Sequence, residues 1–175
     1  LEVFESRDFT TEIFSQNDEF LGPLGLADNR AVLNGDLVTT KLVITNEGNV
    51  PSQYTVKVQN SWQTQLIEGN NEVVNGDIIV NVLAGNSLTI IINSIVPLSS
   101  NMGDSNTMTI RTTLQNGETL INGTKFVIEE FASLDIESPG RILVALGKSS
   151  IAPIKLHNIG NVPLDVSLTI GSLPN

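Results

Sequence analysis

Apolar and polar residues alternate along most of this chain with a period of two. Leu37–Thr45, Gln53–Gln59, Ile78–Leu83, Leu88–Ile95 and Met108–Leu114 carry branched or aromatic side chains at alternate positions or in short runs. Thr124–Ile128, Leu134–Ile136, Ile142–Leu146, Ile151–Leu156 and Leu164–Ile170 read the same way. A strand sends successive side chains to opposite faces, so this period predicts short strands with one face on a core. Asn34-Gly35, Asn75-Gly76, Asn116-Gly117 and Asn122-Gly123 stand between strands and tolerate the left-handed backbone of tight hairpins. Ala84-Gly85-Asn86 divides two strand runs and predicts a further hairpin. No long stretch shows a 3.6-residue period with capping signals. Regularly spaced short strands predict an all-β sandwich.

The pattern also recurs at a larger interval. Residues 42–51 read Leu-Val-Ile-Thr-Asn-Glu-Gly-Asn-Val-Pro, and residues 154–163 read Ile-Lys-Leu-His-Asn-Ile-Gly-Asn-Val-Pro. At an offset of 112, Asn46, Gly48, Asn49, Val50 and Pro51 meet Asn158, Gly160, Asn161, Val162 and Pro163. Tyr54, Val56 and Val58 then fall on Val166, Leu168 and Ile170, and upstream Val32 and Gly35 fall on Val144 and Gly147. Asp18-Glu19-Phe20 also resembles Glu129-Glu130-Phe131. Fixed-period self-similarity of this kind signals a repeated structural unit. The expected division is a complete sandwich over 20–131 and the first half of a second copy over 132–175. Residues 1–19 would be the end of a preceding repeat or a donor strand. The Asn-x-Gly-Asn-Val-Pro element is a strand connector: Asn and Gly allow the reversal, and proline opens the next strand because it donates nothing to a ladder.

The order of these features resembles a known group. A Gly turn, the strand Leu42–Thr45, Asn46-Glu47-Gly48-Asn49, the strand Tyr54–Val58, a lone Trp62, the Ala84-Gly85-Asn86 turn and a strand closing at Val96-Pro97 follow one another. This is similar to the immunoglobulin-like modules found in tandem in archaeal and bacterial surface proteins, including S-layer proteins and CARDB-type adhesion-like domains. The resemblance covers residues 30–115 and 140–170. It implies an Ig-like sandwich repeat, a cell-surface location outside the cell, and a structural role in an S-layer, filament or adhesin stalk. Gly35-Asp36 followed by Asn46-Glu47-Gly48 also resembles the TasA and camelysin group of filament subunits, which implies polymerisation by strand donation.

Charge narrows the partners. The formal net charge is −10, against a duplex or an anionic membrane surface that calls for clustered Lys and Arg. Nucleic acid is not an expected partner, and no run is long enough to insert in a membrane as a helix. There is no cysteine, which rules out disulfides and thiolate metal sites within these residues. Leu1 carries no leader pattern, so processing or excision from a longer parent is expected.

Few residues offer catalytic chemistry, and no enzyme activity is expected. His157 is the only histidine; it takes the position of Thr45 in the first copy, which alternation points away from the core. No Gly-x-Ser-x-Gly elbow accompanies it. Asp18, Glu19, Asp28 and Asp36, with Glu68, Glu72 and Asp104, are candidate oxygen ligands for calcium, although no EF-hand loop is present. No other cofactor is expected. Asn122-Gly123-Thr124 is a glycosylation sequon in a predicted turn. Trp62 and Tyr54 offer either an aromatic platform for carbohydrate or a core plug, the second being the commoner use. Lys41 and Lys155 lie near the strands used for Lys–Asn crosslinks in some such modules, and alternation points both outward. Self-association through open strand edges is the first functional reading. A carbohydrate-binding or accessory module of a secreted enzyme is the alternative.

Overall fold

The computed structural model describes residues 4–22, 25–138, 140, 142 and 145–169, and the side chains of 22–28 lie outside the described set. The described residues form strands, turns and connecting loops, with no helix among them. In chain order these are β1 (Phe9–Ser15), β2 (Phe20–Gly22), β3 (Gly25–Val32), β4 (Leu37–Asn46), β5 (Ser52–Gln59), β6 (Gln63–Glu68) and β7 (Asn71–Val74). They are followed by β8 (Ile78–Val82), β9 (Ser87–Ile95), β10 (Ser105–Leu114), β11 (Thr119–Ile128), β12 (Leu134–Glu137) and β13 (Lys155–Asn158). The chain divides into two compact units, Leu1–Glu129 and Glu130–Asn175.

Unit 1 is a β-sandwich of a six-stranded sheet, ordered β2-β1-β4-β9-β6-β7, and a five-stranded sheet, ordered β3-β11-β10-β5-β8. Pairing is antiparallel except where β3 runs parallel to β11. Alternation decides which side chains meet: Phe9, Ile13, Leu42, Ile44, Leu66, Ile90 and Ile92 from one sheet, and Tyr54, Val56, Val80, Met108, Ile110, Leu114 and Phe126 from the other, form one buried cluster. The Phe9 and Tyr54 rings lie 5.1 Å apart and tilted, as do Trp62 and Phe126 at 5.3 Å. Trp62, on the short crossing from β5 to β6, is a core plug, and Tyr54 is wholly buried. Neither forms an exposed aromatic platform.

Several expectations change. Residues 1–19 are not the tail of a preceding repeat: β1 pairs with β4 from Phe9↔Asn46 to Ser15↔Thr40 and is an interior strand of the six-stranded sheet. The unit therefore ends at Glu129 and includes the segment the 20–131 division left out. Asn122-Gly123 is not a turn; it lies inside β11, opposite Ile110 and Thr109. Ala84-Gly85-Asn86 does turn, with Gly85 at φ +70, but it carries the chain from β8 in one sheet to β9 in the other and so is no hairpin. Strands were not expected at β2, β3, β6 and β7. In β6 only Thr64 and Leu66 of Gln63–Glu68 are buried, because its other face is open to solvent and amides satisfy it. In unit 2, residues 142, 145–146, 151–154 and 164–169 are not strand; 143–144 and 170 lie outside the described residues.

Candidate functional site

The last residue of β4 ties four segments together. Asn46 points inward and is fully buried. Its Nδ2 donates to the carbonyl oxygens of Val50 and Val82, both at 2.9 Å, and its Oδ1 accepts the Gly48 amide at 3.0 Å. Its main chain bonds across to the β8–β9 turn, N to Asn86 O at 3.0 Å and O from Gly85 N at 2.9 Å. A buried amide placed here satisfies backbone groups that a reversing chain leaves without ladder partners. The following turn grips the segment ahead of β1. Glu47 N donates to Asp8 O, Asn49 N to Ser6 O, and Asn49 Oδ1 accepts Ser6 N at 2.8 Å. A Cβ on Gly48 would sit 2.3 Å from Ser6 O, so the close approach admits only glycine.

Unit 2 has the same arrangement. Asn158 Nδ2 donates to Val162 O at 2.7 Å, and its Oδ1 accepts Gly160 N at 3.0 Å. Asn161 N donates to Phe131 O, Asn161 Oδ1 accepts Phe131 N, and Ile159 N donates to Ser133 O. A Cβ on Gly160 would lie 2.2 Å from Phe131 O. The strand register agrees as well: Phe9, Thr10, Thr11 and Glu12 face Asn46, Thr45, Ile44 and Val43, while Leu134, Asp135, Ile136 and Glu137 face Asn158, His157, Leu156 and Lys155. The offset is thus 112 on the β4 side and 125 on the β1 side. It is Ser6 that corresponds to Phe131, and the resemblance between Asp18–Phe20 and Glu129–Phe131 has no structural counterpart. Asp18 stands in the turn after β1.

What differs is the covering. Leu42 and Ile44 are fully buried, whereas their counterparts Ile154 and Leu156 are 51% and 37% exposed. Ile136, which pairs with Leu156, is exposed too, as are Val166 and Leu168 of the same unit. Asn46 reaches Val82 O on β8; no counterpart of β8 or of the β8–β9 turn stands among the described residues of unit 2.

The remaining candidates scatter. Asn122 is 1% exposed, accepts the Thr11 hydroxyl at 2.7 Å and donates to Thr11 O at 3.4 Å, joining the two sheets through the core. The sequon is therefore no glycan acceptor in the folded unit: its amide nitrogen is sealed between sheets. Asp18 pairs with Lys41 at 2.6 Å, Asp36 accepts Leu33 N at 2.8 Å, and Asp104 accepts Asn101 N at 2.8 Å. Glu19 is exposed, Glu72 accepts from the Gln65 amide, and Glu68 ends β6. The side chain of Asp28 lies outside the described residues. Among the described residues no three carboxylate or imidazole groups gather as a cation site. His157 is exposed on β13, and Lys155 pairs with Glu137 at 3.1 Å. A groove of about 510 Å³ opens beside Trp62, lined by Lys57, Asn60, Gln63, Asn75 and Asp77. No sequence signal pointed to it, because its walls come from β5, β6 and the turn before β8.

No protein-family model matches the chain, and no curated protein matches it. Among solved structures, the N-terminal domain of PorA superposes with a TM-score of 0.51 at 14% identity, over 67% of this chain and 96% of that one. A family 123 glycoside hydrolase from Clostridium perfringens matches at TM-score 0.48 and 13% identity, over 69% of this chain and 27% of the enzyme. The major pilin subunit BcpA of Bacillus cereus matches at 0.41 and 13%, over 90% of this chain and 56% of the pilin. At such identities the likeness to PorA concerns fold, a β-sandwich module, and the two weaker matches are similarities of outline. Among the described residues no helix is long and apolar enough to cross a membrane.

Proposed function

We propose that this chain is a non-enzymatic structural component of an extracellular cell-surface assembly, joined to its neighbours through β-strand edges. The recurrence of one strand pair and one asparagine turn in two units carries this reading, because tandem copies of one module are how chains build length and stiffness. Among the described residues of unit 2, β13 pairs with β12 alone and Ile136, Ile154 and Leu156 are exposed, and sheet edges with apolar side chains are surfaces through which β-proteins associate. The net charge of −10 keeps such a chain soluble until its edges are engaged. Size-exclusion chromatography with light scattering tests the reading. Species of high mass are expected above micromolar concentration, and these disappear when residues 132–175 are removed. A strictly monomeric chain at every concentration overturns it.

The groove beside Trp62 favours a second reading, a carbohydrate-binding accessory module. Amides, Lys57 and Asp77 at its rim offer the polar groups that sugars hydrogen-bond, although the indole itself is buried. Calorimetry against a panel of oligosaccharides separates the two: saturable binding lost in Lys57→Ala and Asp77→Ala belongs to this second reading alone.

A further inference from the structure

Four Asn-Gly pairs stand in this chain, at Asn34-Gly35, Asn75-Gly76, Asn116-Gly117 and Asn122-Gly123. The dipeptide carries a latent reaction: the glycine nitrogen is held close to the preceding side-chain amide, and no glycine side chain hinders ring closure. The fold treats the four pairs differently. Asn34 gives its Nδ2 to Leu98 O at 2.9 Å and Ser100 O at 2.7 Å, while Gly35 N donates to Val96 O at 3.0 Å. Asn122 is sealed between the sheets on Thr11, and Gly123 is held extended by β10 and β3. Asn116 is exposed, but Gly117 N donates to Leu114 O at 2.8 Å, so the attacking nitrogen is engaged in the hairpin.

Asn75 differs on each of these points. It is exposed in the crossing from β7 to β8, at φ +50, a left-handed conformation that asparagine tolerates, and it lines the groove beside Trp62. Its Oδ1 accepts Thr64 N at 2.9 Å, and its main-chain N donates to Thr64 O at 2.9 Å, which fixes the residue against β6. Its Nδ2 and the Gly76 nitrogen meet no hydrogen-bond partner among the described residues. Glycine stands at 76 for a packing reason, since a Cβ there would sit 2.7 Å from Val73 Cγ1. The nucleophile is thus unengaged and the leaving nitrogen is unpaired. The Thr64 N–H points at the oxygen on which negative charge develops during the attack.

We propose that Asn75 is a self-modification site, converting to aspartate and isoaspartate through a succinimide closed with Gly76 N. In the first step the Gly76 N–Cγ bond forms and the Cγ–Nδ2 bond breaks. The Gly76 amide proton passes through water to the departing nitrogen, which leaves as ammonia. A water molecule then opens the ring, at Cγ to give aspartate or at the main-chain carbonyl to give isoaspartate. Either product sets a new carboxylate beside Asp77 in the groove wall, and isoaspartate also lengthens the β7–β8 crossing by a methylene. This conversion rests on neither the assembly reading nor the carbohydrate reading.

The test keeps the whole folded chain in mildly alkaline buffer for weeks, with the chain denatured in guanidinium as reference. Each Asn-Gly peptide is followed by mass spectrometry after digestion. The denatured chain is expected to convert all four sites at similar rates, because the dipeptide is the same. In the folded chain Asn75 is expected to convert at least tenfold faster than Asn34, Asn116 and Asn122, with both aspartate and isoaspartate in the fragment spectra at 75. Asn116 is the control for exposure alone; its conversion as fast as Asn75 overturns the proposal. So does an intact Asn75 once the denatured reference has reacted. A lasting loss of ammonia with Lys57 joined to residue 75 overturns it as well, since the amine at the groove would then be the nucleophile.

Discussion

The Asn46 side chain holds three backbone groups of separate turns and strands. Truncating it removes the side-chain partner of Val82 O and leaves Gly48 N with Asp8 O and Val50 O with the Ser52 hydroxyl as their remaining bonds, and each net hydrogen bond lost is worth about 1 kcal/mol. Asn46→Ala is therefore expected to lower the urea unfolding free energy of unit 1 by about 3 kcal/mol, the effects not being additive. Asn158→Ala, in a unit with little buried core, should leave that transition in place. Gly48→Ala tests the close approach: a Cβ 2.3 Å from Ser6 O must push the segment before β1 away. A loss above about 2 kcal/mol, read on the same melt, is expected where an open turn glycine would lose less. Tyr54 makes a pH prediction. Burial pushes its phenol above its ordinary value of 10.0, so the unfolded chain releases that proton first as pH rises. Stability is then intact below pH 10 and falls above it, towards the folded value. Among the described residues its hydroxyl makes no close hydrogen bond, with Ser52 opposing the shift only weakly against burial, so Tyr54→Phe should leave stability at pH 7 within about 1 kcal/mol of the parent and flatten the alkaline loss.

Among the elements, β1 was the most misread and is the most testable. It sits between β2 and β4, offers Phe9 and Ile13 to the core, and its Thr11 reaches Asn122 across the sheets. Removal of residues 1–19 is expected to abolish the cooperative unfolding of unit 1 by circular dichroism. A donor strand would be dispensable to its own domain. The sequence offers Phe-Thr-Thr-Glu-Ile-Phe-Ser here, an alternating run in plain view, but the repeat alignment anchored on Asp18–Phe20 places the boundary after it and so cuts it from its own sandwich. The Asn turn was legible because its residue types are demanded locally by geometry. β3 was not legible, since a parallel partner on β11 is set by the path of the chain between sheets and leaves no mark on nearby residues. Asn122-Gly123 misled for a related reason: the pair is compatible with a tight turn, yet pairing with β10 on one side and β3 on the other holds it extended.

For the molecule as a whole, the two units should differ in protection. Unit 1 encloses one continuous core, while every residue of β13 is exposed. Native-state hydrogen exchange is expected to be slowest at β4, β9 and β10 and fast throughout β12 and β13. Limited proteolysis should cut beyond Glu130 and spare the sandwich; cleavage within unit 1 at equal rate would contradict the separation into two units.

Local chemistry was enough to determine the all-β class, the positions of most strands and the recurrence of one asparagine turn, because alternation and backbone freedom are properties of neighbouring residues. The groove beside Trp62, the sealing of Asn122, the place of β1 and the different exposure of Leu42 and Ile44 against Ile154 and Leu156 were decided only in three dimensions. Each depends on which distant segments come together across the sheets, and burial is a property of that meeting rather than of either segment alone.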